Sequence, residues 1–577
     1  MSHHFVKKAA SVAALLLTPL LMQAQTPGTD PLPPAPGSGV TASLPTPPPA
    51  ACSAGETPGT WCTVTTPLNF PGTMLLLTDG RVMAIENGAA GSCGPGWQLL
   101  TPSSSGHYGS GTWAATAPMA TPRLYFASTV MQNGQVWVLG GEYSTASCSS
   151  SGLLGIIPTG EVYDPVGNTW TALTPYPNTA SCIGFRGVGT EACFGDDPSS
   201  LLQNGSIIAG DIFTGIPQIW TGPAPGTWAP AATKANPGDS SDEEGWAKLP
   251  NGNILVYDLF NSISTGSGKA EIYNPTANTW TKINPSDLSA NGTLPVLSSS
   301  LLGYEMGPPM RLQDGRIFEI GANQHTALYT PSTNTWAAGP DTLGNAAGGC
   351  TVALTCAYGA DDAPAAELPS GHVVFAADSG PNKGIFTSPT CLFDFNPSTN
   401  TTSVFATQPP DLTGCLTNSA NSNNSIIAFP LRMLMLPTGQ LLYHNGGQTA
   451  NVIYLYTPTS TLAAPPYRPV VQSVTGTLPT LTVTGLQLNG QSAGSYYGDD
   501  VVTDENYPIV RLVNAAGTVF YCKTTNWSSV GVGNVGTETV TVSVPGAVLP
   551  GSYSMVVSGA GVQSVPVAVT LQASVGN

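Results

Sequence analysis

Acidic residues recur at a fixed distance from a turn in the middle of this chain. In four successive segments, a carboxylate stands nine or ten residues before the glycine of a tight turn, usually with a second acid beside it. These residues are Asp196 with Asp197, Asp242 with Glu243 and Glu244, Glu305, and Asp361 with Asp362. Two carboxylates about 4 Å apart repel by about 4 kcal/mol at an effective dielectric of about 20, so something must offset the repulsion.

Three interactions can offset it, and the residues alone leave all three open. A divalent cation such as Ca²⁺ takes about six to eight oxygen ligands. A calcium-like site would use Asp196, Glu243, Glu305 and Asp361. Protonation would instead raise the pKa of one carboxylate and supply a general acid. In the structural alternative, each carboxylate binds backbone N–H groups or pairs with a cation such as Arg123, Arg186 or Lys248.

Aromatic and histidine side chains extend the candidate binding set. Aromatic rings can stack on sugar rings, although they also pack between structural units. The aromatic candidates are Tyr125, Trp246, Tyr304 and Tyr358. His325 and His444 each follow an apolar segment after a turn, where a side chain can face a central channel, whereas a lone histidine is usually structural.

The elements that position these residues form a repeat of two hairpins. Two apolar strands flank a tight turn at Gly80, Gly134, Gly205, Gly252, Gly315, Gly371 and Gly439. Asp-Gly and Asn-Gly suit such turns because both central residues need positive φ. A second hairpin follows, with a strand begun by Trp61, Trp113, Trp170, Trp228, Trp280 or Trp336, or by Thr402 in a degenerate copy. Four strands in each of seven repeats predict an all-β, seven-bladed kelch-type β-propeller whose innermost strands begin at the carboxylates.

The order of the hairpins is offset at the two ends of the repeat region. No Trp strand follows the segment 452–458, and no inner hairpin precedes the first Trp strand at 59–64. The N-terminal strand is therefore predicted to complete the last blade and close the ring, which removes open sheet edges. We expect the propeller to span residues 51–462.

The chain resembles the galactose oxidase-like group of kelch-repeat proteins, which combine an export signal, seven kelch blades and an immunoglobulin-like domain. Residues 467–572 carry the last part of this resemblance, in LTVTGLQL, YPIVRLVN, TVTVSV and LPGSYSMVVSGAGVQSVPVAV. The resemblance implies a C-terminal immunoglobulin-like β-sandwich over residues 467–577.

The resemblance also implies a copper radical site, which this sequence does not retain. The family's Tyr-His pair falls on Phe429 and Pro430, and its second histidine falls on Ala450. Its cross-linking cysteine falls on Phe70, while Tyr125 matches the cross-linked tyrosine. Copper is therefore not expected.

Composition restricts where the protein acts and what it binds. Lys7 and Lys8 followed by the apolar segment 9–22 predict a signal peptide over residues 1–24, and so a secreted or periplasmic protein. Residues 25–50 form a Pro-rich linker. The formal net charge of −17 opposes a nucleic-acid partner, and we expect no membrane span once the signal is removed.

Export permits disulfide bonds between cysteines that are close in sequence. The candidate pairs are Cys52–Cys62, Cys182–Cys193, Cys350–Cys356, Cys391–Cys415 and Cys93–Cys148, which leaves Cys522 unpaired. Spacing does not fix this connectivity.

Three functional hypotheses follow. In the first, an exported propeller binds a glycan or a cell-surface partner through its loop-rich face, with a divalent cation at the acidic ring. In the second, paired carboxylates act as acid and base in a carbohydrate-active enzyme. In the third, which the lost ligands disfavour, a copper radical oxidase has an altered site. The sequence leaves the oligomeric state open.

Overall fold

The structure is a computed structural model, and most of the chain beyond the N-terminal segment is placed in it. The described residues are 50–52, 56–88, 92–141, 143–144, 156–177, 194–195, 197–283, 294–298, 305–344, 356–360, 362–380, 386–415, 425–491, 496–497, 501–502 and 506–574. The predicted signal peptide, the pairs Cys182–Cys193, Cys93–Cys148 and Cys350–Cys356, and the candidates Asp196, Asp361, Arg186 and Tyr304 lie wholly or partly outside these residues.

Each inner hairpin turns at the expected glycine. Gly80 has a φ of 78° and Gly134 a φ of 80°, which only glycine adopts at little cost. The Gly80 N–H donates to Leu77 O and the Leu77 N–H to Arg81 O, so the turn fixes the strand register. The same arrangement recurs in every blade and places the two inner strands side by side.

The strands form seven antiparallel sheets in the order expected for a seven-bladed propeller. Blades 1 to 4 contain β2 (Pro71–Leu76), β3 (Val82–Gly88), β4 (Ser92–Thr101) and β5 (Thr112–Ala115); β6 (Ala127–Val130), β7 (Val136–Leu139), β8 (Gly160–Asp164) and β9 (Thr169–Ala172); β10 (Ser199–Leu201), β11 (Ile207–Ala209), β12 (Gln218–Thr221) and β13 (Thr227–Pro230); and β14 (Gly245–Lys248), β15 (Ile254–Asp258), β16 (Lys269–Asn274) and β17 (Thr279–Lys282). A short helix, α1 (Leu259–Thr265), follows β15.

Blades 5 to 7 continue the pattern, and the seventh takes one strand from the start of the chain. They contain β18 (Met310–Arg311), β19 (Ile317–Ile320), β20 (Thr326–Thr330) and β21 (Thr335–Ala338); β22 (Tyr358–Gly359), β23 (Ala365–Glu367), β24 (Val373–Ser379), β25 (Thr390–Asn396) and β26 (Thr401–Val404); and β27 (Arg432–Met435), β28 (Leu441–His444), β29 (Ile453–Thr457) and β1 (Thr60–Val64). Strand β1 pairs antiparallel with β29, from Thr60 opposite Thr457 to Val64 opposite Ile453.

The outer hairpins join each blade to its neighbour. The Tyr163 hydroxyl donates to Asn168 Oδ1, and the Trp170 indole N–H donates across to Ala117 O at the end of the preceding blade. At the seam of the ring, the Trp61 indole N–H donates to Thr407 O after blade 6. At Trp61 and Trp170, the tryptophan of the repeat is thus a contact between blades.

The C-terminal segment forms a separate antiparallel sheet system. Its strands are β30 (Val470–Thr477), β31 (Thr480–Leu486), β34 (Ile509–Val513), β35 (Val519–Thr525), β36 (Thr537–Ser543), β37 (Gly551–Gly559), β38 (Val562–Gln563) and β39 (Val567–Leu571). It packs on the turn ends of the blades, where the Gln132 amide donates to Trp527 O and the Ser558 hydroxyl donates to Pro437 O.

A hairpin from this C-terminal segment reaches into the propeller. Its strands are β32 (Tyr496–Tyr497) and β33 (Val501–Val502), and β32 pairs antiparallel with β14, the innermost strand of blade 4. The hairpin also lies against β2, β6 and β10, the innermost strands of blades 1 to 3. It therefore lies at the centre of the ring, which the sequence analysis did not anticipate.

Two of the expected disulfides, Cys52–Cys62 and Cys391–Cys415, are present. Cys93 and Cys356 are also disulfide-bonded. Cys522 is a free, buried thiol, as the sequence predicted.

Among the described residues, no helix is both long and apolar enough to cross a membrane.

Candidate functional site

Several innermost strands begin with a residue in the left-handed backbone region. Phe70, Tyr125, Glu243 and Asp362 have φ values of 51°, 52°, 56° and 49°. They belong to blades 1, 2, 4 and 6, and each stands nine or ten residues before the turn glycine of its blade. Left-handed residues other than glycine, asparagine and aspartate are uncommon, and such strain clusters at functional sites. The start of the innermost strands, here called the channel mouth, is therefore the candidate site.

One side of the channel mouth is aromatic. The rings of Tyr125 in blade 2 and Phe429 before blade 7 lie 6.2 Å apart between centroids. Phe386 lies 4.6 Å from Phe429, and Tyr143 lies 6.0 Å from Tyr125. Tyr125, Tyr143 and Phe386 are partly exposed, whereas Phe429 is buried. Residues from distant blades thus form one aromatic cluster with accessible edges.

A buried arginine holds this aromatic cluster in place. The guanidinium of Arg432 on β27 lies 6.0 Å from the centroid of the Tyr125 ring. Its Nη1 donates to Phe429 O at 2.5 Å and to Leu431 O at 2.8 Å. A cation over an aromatic face is attractive, and more so when both are withdrawn from water. Arg432 therefore links the backbone before blade 7 to the ring from blade 2.

The other side of the channel mouth is acidic. Asp197, Asp242, Glu243 and Asp362 are buried, and Glu305 is partly buried. Asp197 Oδ2 accepts from the Gly195 N–H at 3.0 Å. These residues start blades 3 to 6, so the acidic side follows the aromatic side around the ring.

A buried charge cluster lies behind Glu243. The ammonium of Lys234 is 2.5 Å from both Asp239 Oδ2 and Glu244 Oε1, and all three side chains are fully buried. Glu244 Oε2 also accepts from the indole N–H of Trp246. Asp258, the N-cap residue of α1, completes the cluster. Adjacent acids in the sequence thus have different roles, because Glu244 neutralises a buried lysine.

Burial and pairing set the protonation states in this cluster. Burial lowers the pKa of Lys234, but the carboxylates of Asp239 and Glu244 outweigh it and leave the pKa raised. Burial raises the pKa of Glu244 to about 8, against the opposing effect of Lys234. Lys234 therefore keeps its charge at neutral pH.

The best arranged carboxylates for a metal are not the predicted set. Asp239, Glu244 and Asp258 offer oxygens within 4.8 Å of one another, which within the described part of the chain is the one such group of three. The Lys234 ammonium already pairs with two of them, Asp239 and Glu244. Glu243 and Glu305 are in no such group, while their proposed partners Asp196 and Asp361 fall outside the described residues.

Two predicted binding residues, Arg123 and Trp246, are enclosed in the structure, which corrects those expectations. Arg123 is fully buried and pairs with Glu161 at 3.3 Å, not with the acidic ring. Trp246 is buried against Trp280 and presents no face to a ligand. Burial, not chemistry with a ligand, explains both positions.

The two candidate histidines also differ from expectation. His444 is fully buried, with Nε2 donating to Gly72 O and Nδ1 accepting from the Gly446 N–H. Burial lowers its pKa to about 3, so it is neutral and both ring nitrogens are engaged. His325 is partly exposed and pairs with Asp341 at 2.8 Å.

Sequence reasoning missed Lys234, Asp239, Asp258 and Arg432. A lysine in a chain with few charged residues, followed closely by several acids, was the available signal for Lys234. Arg432 carries no signal of that kind, because its contacts join segments that are remote in sequence.

Comparisons with known proteins agree with the repeat but identify no family. No protein-family model matches the chain. A curated F-box/kelch-repeat protein from Arabidopsis thaliana is 33% identical over 110 residues, covering 19% of this chain and 26% of that protein. The chain thus spans about a quarter of the length of this relative, and the match supports kelch-type repeats.

Solved structures show more extended but more distant likenesses. A fungal alcohol oxidase of the AA5 family, in complex with copper, is 16% identical, with 88% of this chain and 85% of that chain covered and a TM-score of 0.34. A GH74 enzyme from Niastella koreensis is 14% identical, with 87% and 72% covered and a TM-score of 0.31. These TM-scores are too low to support conclusions on function, and the propeller is assigned from its strand pairing.

Proposed function

We propose that this chain is an exported β-propeller that binds a glycan at the channel mouth, where the innermost strands begin. One observation carries the proposal: partly exposed aromatic rings from different blades meet on one side of a mouth whose other side is acidic. Aromatic rings supply apolar faces with a fixed geometry, and a few polar groups orient a bound ligand. Carboxylates accept hydrogen bonds from hydroxyl groups, which a sugar carries in abundance.

Two further features support the exported, ring-closed form of the proposal. The disulfides Cys52–Cys62 and Cys391–Cys415 suit an oxidising compartment outside the cytosol. The pairing of β1 with β29 supports a ring closed by the N-terminal strand. The antiparallel C-terminal sheets support an immunoglobulin-like domain, which in this proposal braces the turn ends of the blades.

Calcium is the part of the proposal with the most direct test. A divalent cation would offset the repulsion between carboxylates that start four neighbouring blades. Elemental analysis of protein purified without chelator measures how much calcium is bound. Stoichiometric calcium supports a cation at the mouth if Glu243→Gln removes it, and protein free of calcium refutes this part alone.

Glycan binding is tested with a panel of immobilised glycans, followed by calorimetry on the strongest binder. We expect Tyr125→Ala and Phe386→Ala to weaken binding about tenfold, the equivalent of about 1.4 kcal/mol. Tyr553→Ala is the matched control, because Tyr553 packs on Phe520 in the C-terminal sheets. Loss of binding in the control, or no binding by the unaltered protein, would contradict the proposal. Release of reducing ends from a bound glycan would instead support the carbohydrate-active enzyme.

A further inference from the structure

A large cleft lies at the opposite end of the innermost strands from the channel mouth. It has a volume of about 980 Å³ and is walled by the turn ends of blades 4 and 5 and by residues 533–535 of the C-terminal sheets. Ligand pockets commonly measure about 300–1,000 Å³. The C-terminal segment is fixed on either side of this cleft by the Val530 N–H to Gln203 Oε1 and by the Gln563 amide to Thr438 O. The cleft therefore lies in a fixed interface between the propeller and the C-terminal sheets.

The wall of the cleft contains a buried arginine with two side-chain nitrogens that lack hydrogen-bond partners. Arg311, on β18, is 3% exposed. Its Nε and Nη1 have no hydrogen-bond partner among the described residues. A buried charge without a close partner is costly and is retained only where something compensates.

The neighbouring acids form no hydrogen bond to Nε or Nη1 of this guanidinium. Asp314 is committed to Arg316, with 2.5 Å between Oδ2 and Nη2, and Glu367 Oε1 accepts from the Gln313 N–H. Both acids act on Arg311 electrostatically, and burial still lowers its pKa to about 10. Arg311 thus remains protonated at neutral pH, and its guanidinium lacks the direct partner that Arg316 has.

The C-terminal segment closes over this guanidinium with a glycine. A Cβ at Gly533 would lie 2.2 Å from Arg311 Nη2 and 2.5 Å from its Cζ, so any larger residue would have to displace the guanidinium. Gly533 has a φ of 67°, which also favours glycine. The two parts of the molecule therefore meet around the arginine without covering the cleft beside it.

The remaining wall suits a hydroxyl-rich ligand. Amide side chains line it at Asn251, Asn253 and Asn534, beside apolar side chains such as Ile272 and Ile283. The second cation of the wall, Arg316, is already paired. One guanidinium whose Nε and Nη1 lack hydrogen-bond partners matches a single carboxylate better than a polyphosphate, and the amides can bind hydroxyl groups from two sides.

We propose that this cleft binds an acidic saccharide, with Arg311 pairing with its carboxylate and the asparagine amides binding its hydroxyl groups. The site is distinct from the channel mouth, and it requires both the propeller and the C-terminal sheets. The proposal for this cleft does not depend on whether the channel mouth binds a glycan.

The test compares Arg311→Met with Arg316→Met in the full chain. Trigalacturonate is the acidic probe, maltotriose the neutral probe and sodium sulfate the free anion. We expect trigalacturonate to raise the Tm of the unaltered protein and of Arg316→Met, because binding to the folded state stabilises it. Arg311→Met should lose at least about tenfold in affinity, while its own Tm stays level or rises because a buried charge has been removed.

Three results would overturn the proposal. One is a Tm of Arg311→Met well below that of the unaltered protein, which would make the arginine a structural partner of Glu367. The second is equal binding of maltotriose and trigalacturonate. The third is an Arg311-dependent response to sulfate without any response to trigalacturonate, which would leave a free-anion site. Asn251→Ala, which keeps Arg311 and should weaken trigalacturonate only, separates the saccharide contacts from the charge.

Discussion

The ammonium of Lys234 lies 2.5 Å from Glu244 Oε1, directly behind the strained residue Glu243. The neighbouring carboxylates therefore have separate partners, and the lysine fixes the backbone that presents the acidic side of the mouth. Removing the Lys234 ammonium should therefore destabilise the acidic side of the channel mouth.

Replacing Lys234 with methionine leaves Asp239, Glu244 and Asp258 buried without their cation. We expect a loss of about 3–5 kcal/mol in the free energy of unfolding, because breaking a buried pair strands a charge. Urea unfolding measures the loss. Lys282→Met, a partly exposed lysine outside the cluster, should change stability by no more than about 0.5 kcal/mol. A loss below about 1 kcal/mol in Lys234→Met would contradict the assigned role.

Stability should fall as the pH rises from about 5 to 8. Burial raises the pKa of Glu319 and Asp378 to about 8, of Asp411 and Glu538 to about 7, and of Asp211 to about 6. Between its ordinary pKa and its raised pKa, each group holds a proton in the folded state that it lacks when unfolded. Folding then binds protons, so stability decreases with pH across this window.

Two other buried groups oppose this loss of stability at the acidic and basic ends of the pH range. Burial lowers the pKa of His444 to about 3 and of Lys248 to about 7, so these groups favour folding as the pH rises towards 6.5 and above 7 respectively. Denaturant unfolding at a series of pH values gives the slope. Asp378→Asn should reduce the slope by about 1.4 kcal/mol per pH unit between about 5 and 7. An unchanged slope in that variant would show that Asp378 does not contribute to the pH dependence of stability.

Glu243→Gly should relieve backbone strain. A left-handed conformation costs a residue with a Cβ roughly 1–2 kcal/mol, and glycine is free of this cost but loses about 0.5–1 kcal/mol in chain entropy. We expect stability to rise by up to about 1 kcal/mol while glycan binding weakens. The comparison is Asp242→Gly, which lacks a positive φ and should only destabilise. Thermal unfolding and calorimetry together distinguish strain from simple loss of packing.

Trp61 should hold the N-terminal strand in the last blade. Trp61→Phe removes the hydrogen bond to Thr407 O and should cost about 1 kcal/mol. Trp61→Ala should cost about 3–5 kcal/mol and make residues before blade 1 sensitive to limited proteolysis. Trp228 donates to Thr174 O in the same way within the ring, so Trp228→Ala should leave the N-terminal strand protected. Equal cleavage in both variants would argue against a special role for the seam.

The repeat was predictable because its signals are local. Turn glycines such as Gly80, and the Tyr163–Asn168–Trp170 hairpin, follow from a few adjacent residues with defined backbone needs. The pair Cys391–Cys415 was a candidate because the two cysteines are close in sequence. Near-neighbour chemistry thus determined the hairpins, and their repetition predicted the blade arrangement.

The channel mouth was predicted less well, because its side chains depend on contacts between segments remote in sequence and on left-handed backbone conformations. The positive φ of Glu243 separates the environments of Glu243 and Glu244, and the acidic pattern does not reveal it. Arg432 meets Tyr125 across the ring. The pairing of β32 with β14 joins segments far apart in sequence, and no pattern in residues 496–502 specifies that partner.

The hairpin at the centre of the ring also affects how the molecule is assembled. Strand β14 is bordered by β32, and β29 is bordered by β1, so residues near both ends of the chain complete sheets in the propeller. During synthesis, blade 4 is finished only when residues 496–502 have emerged, long after its own four strands. The propeller therefore cannot complete all of its sheets until most of the chain has been synthesised.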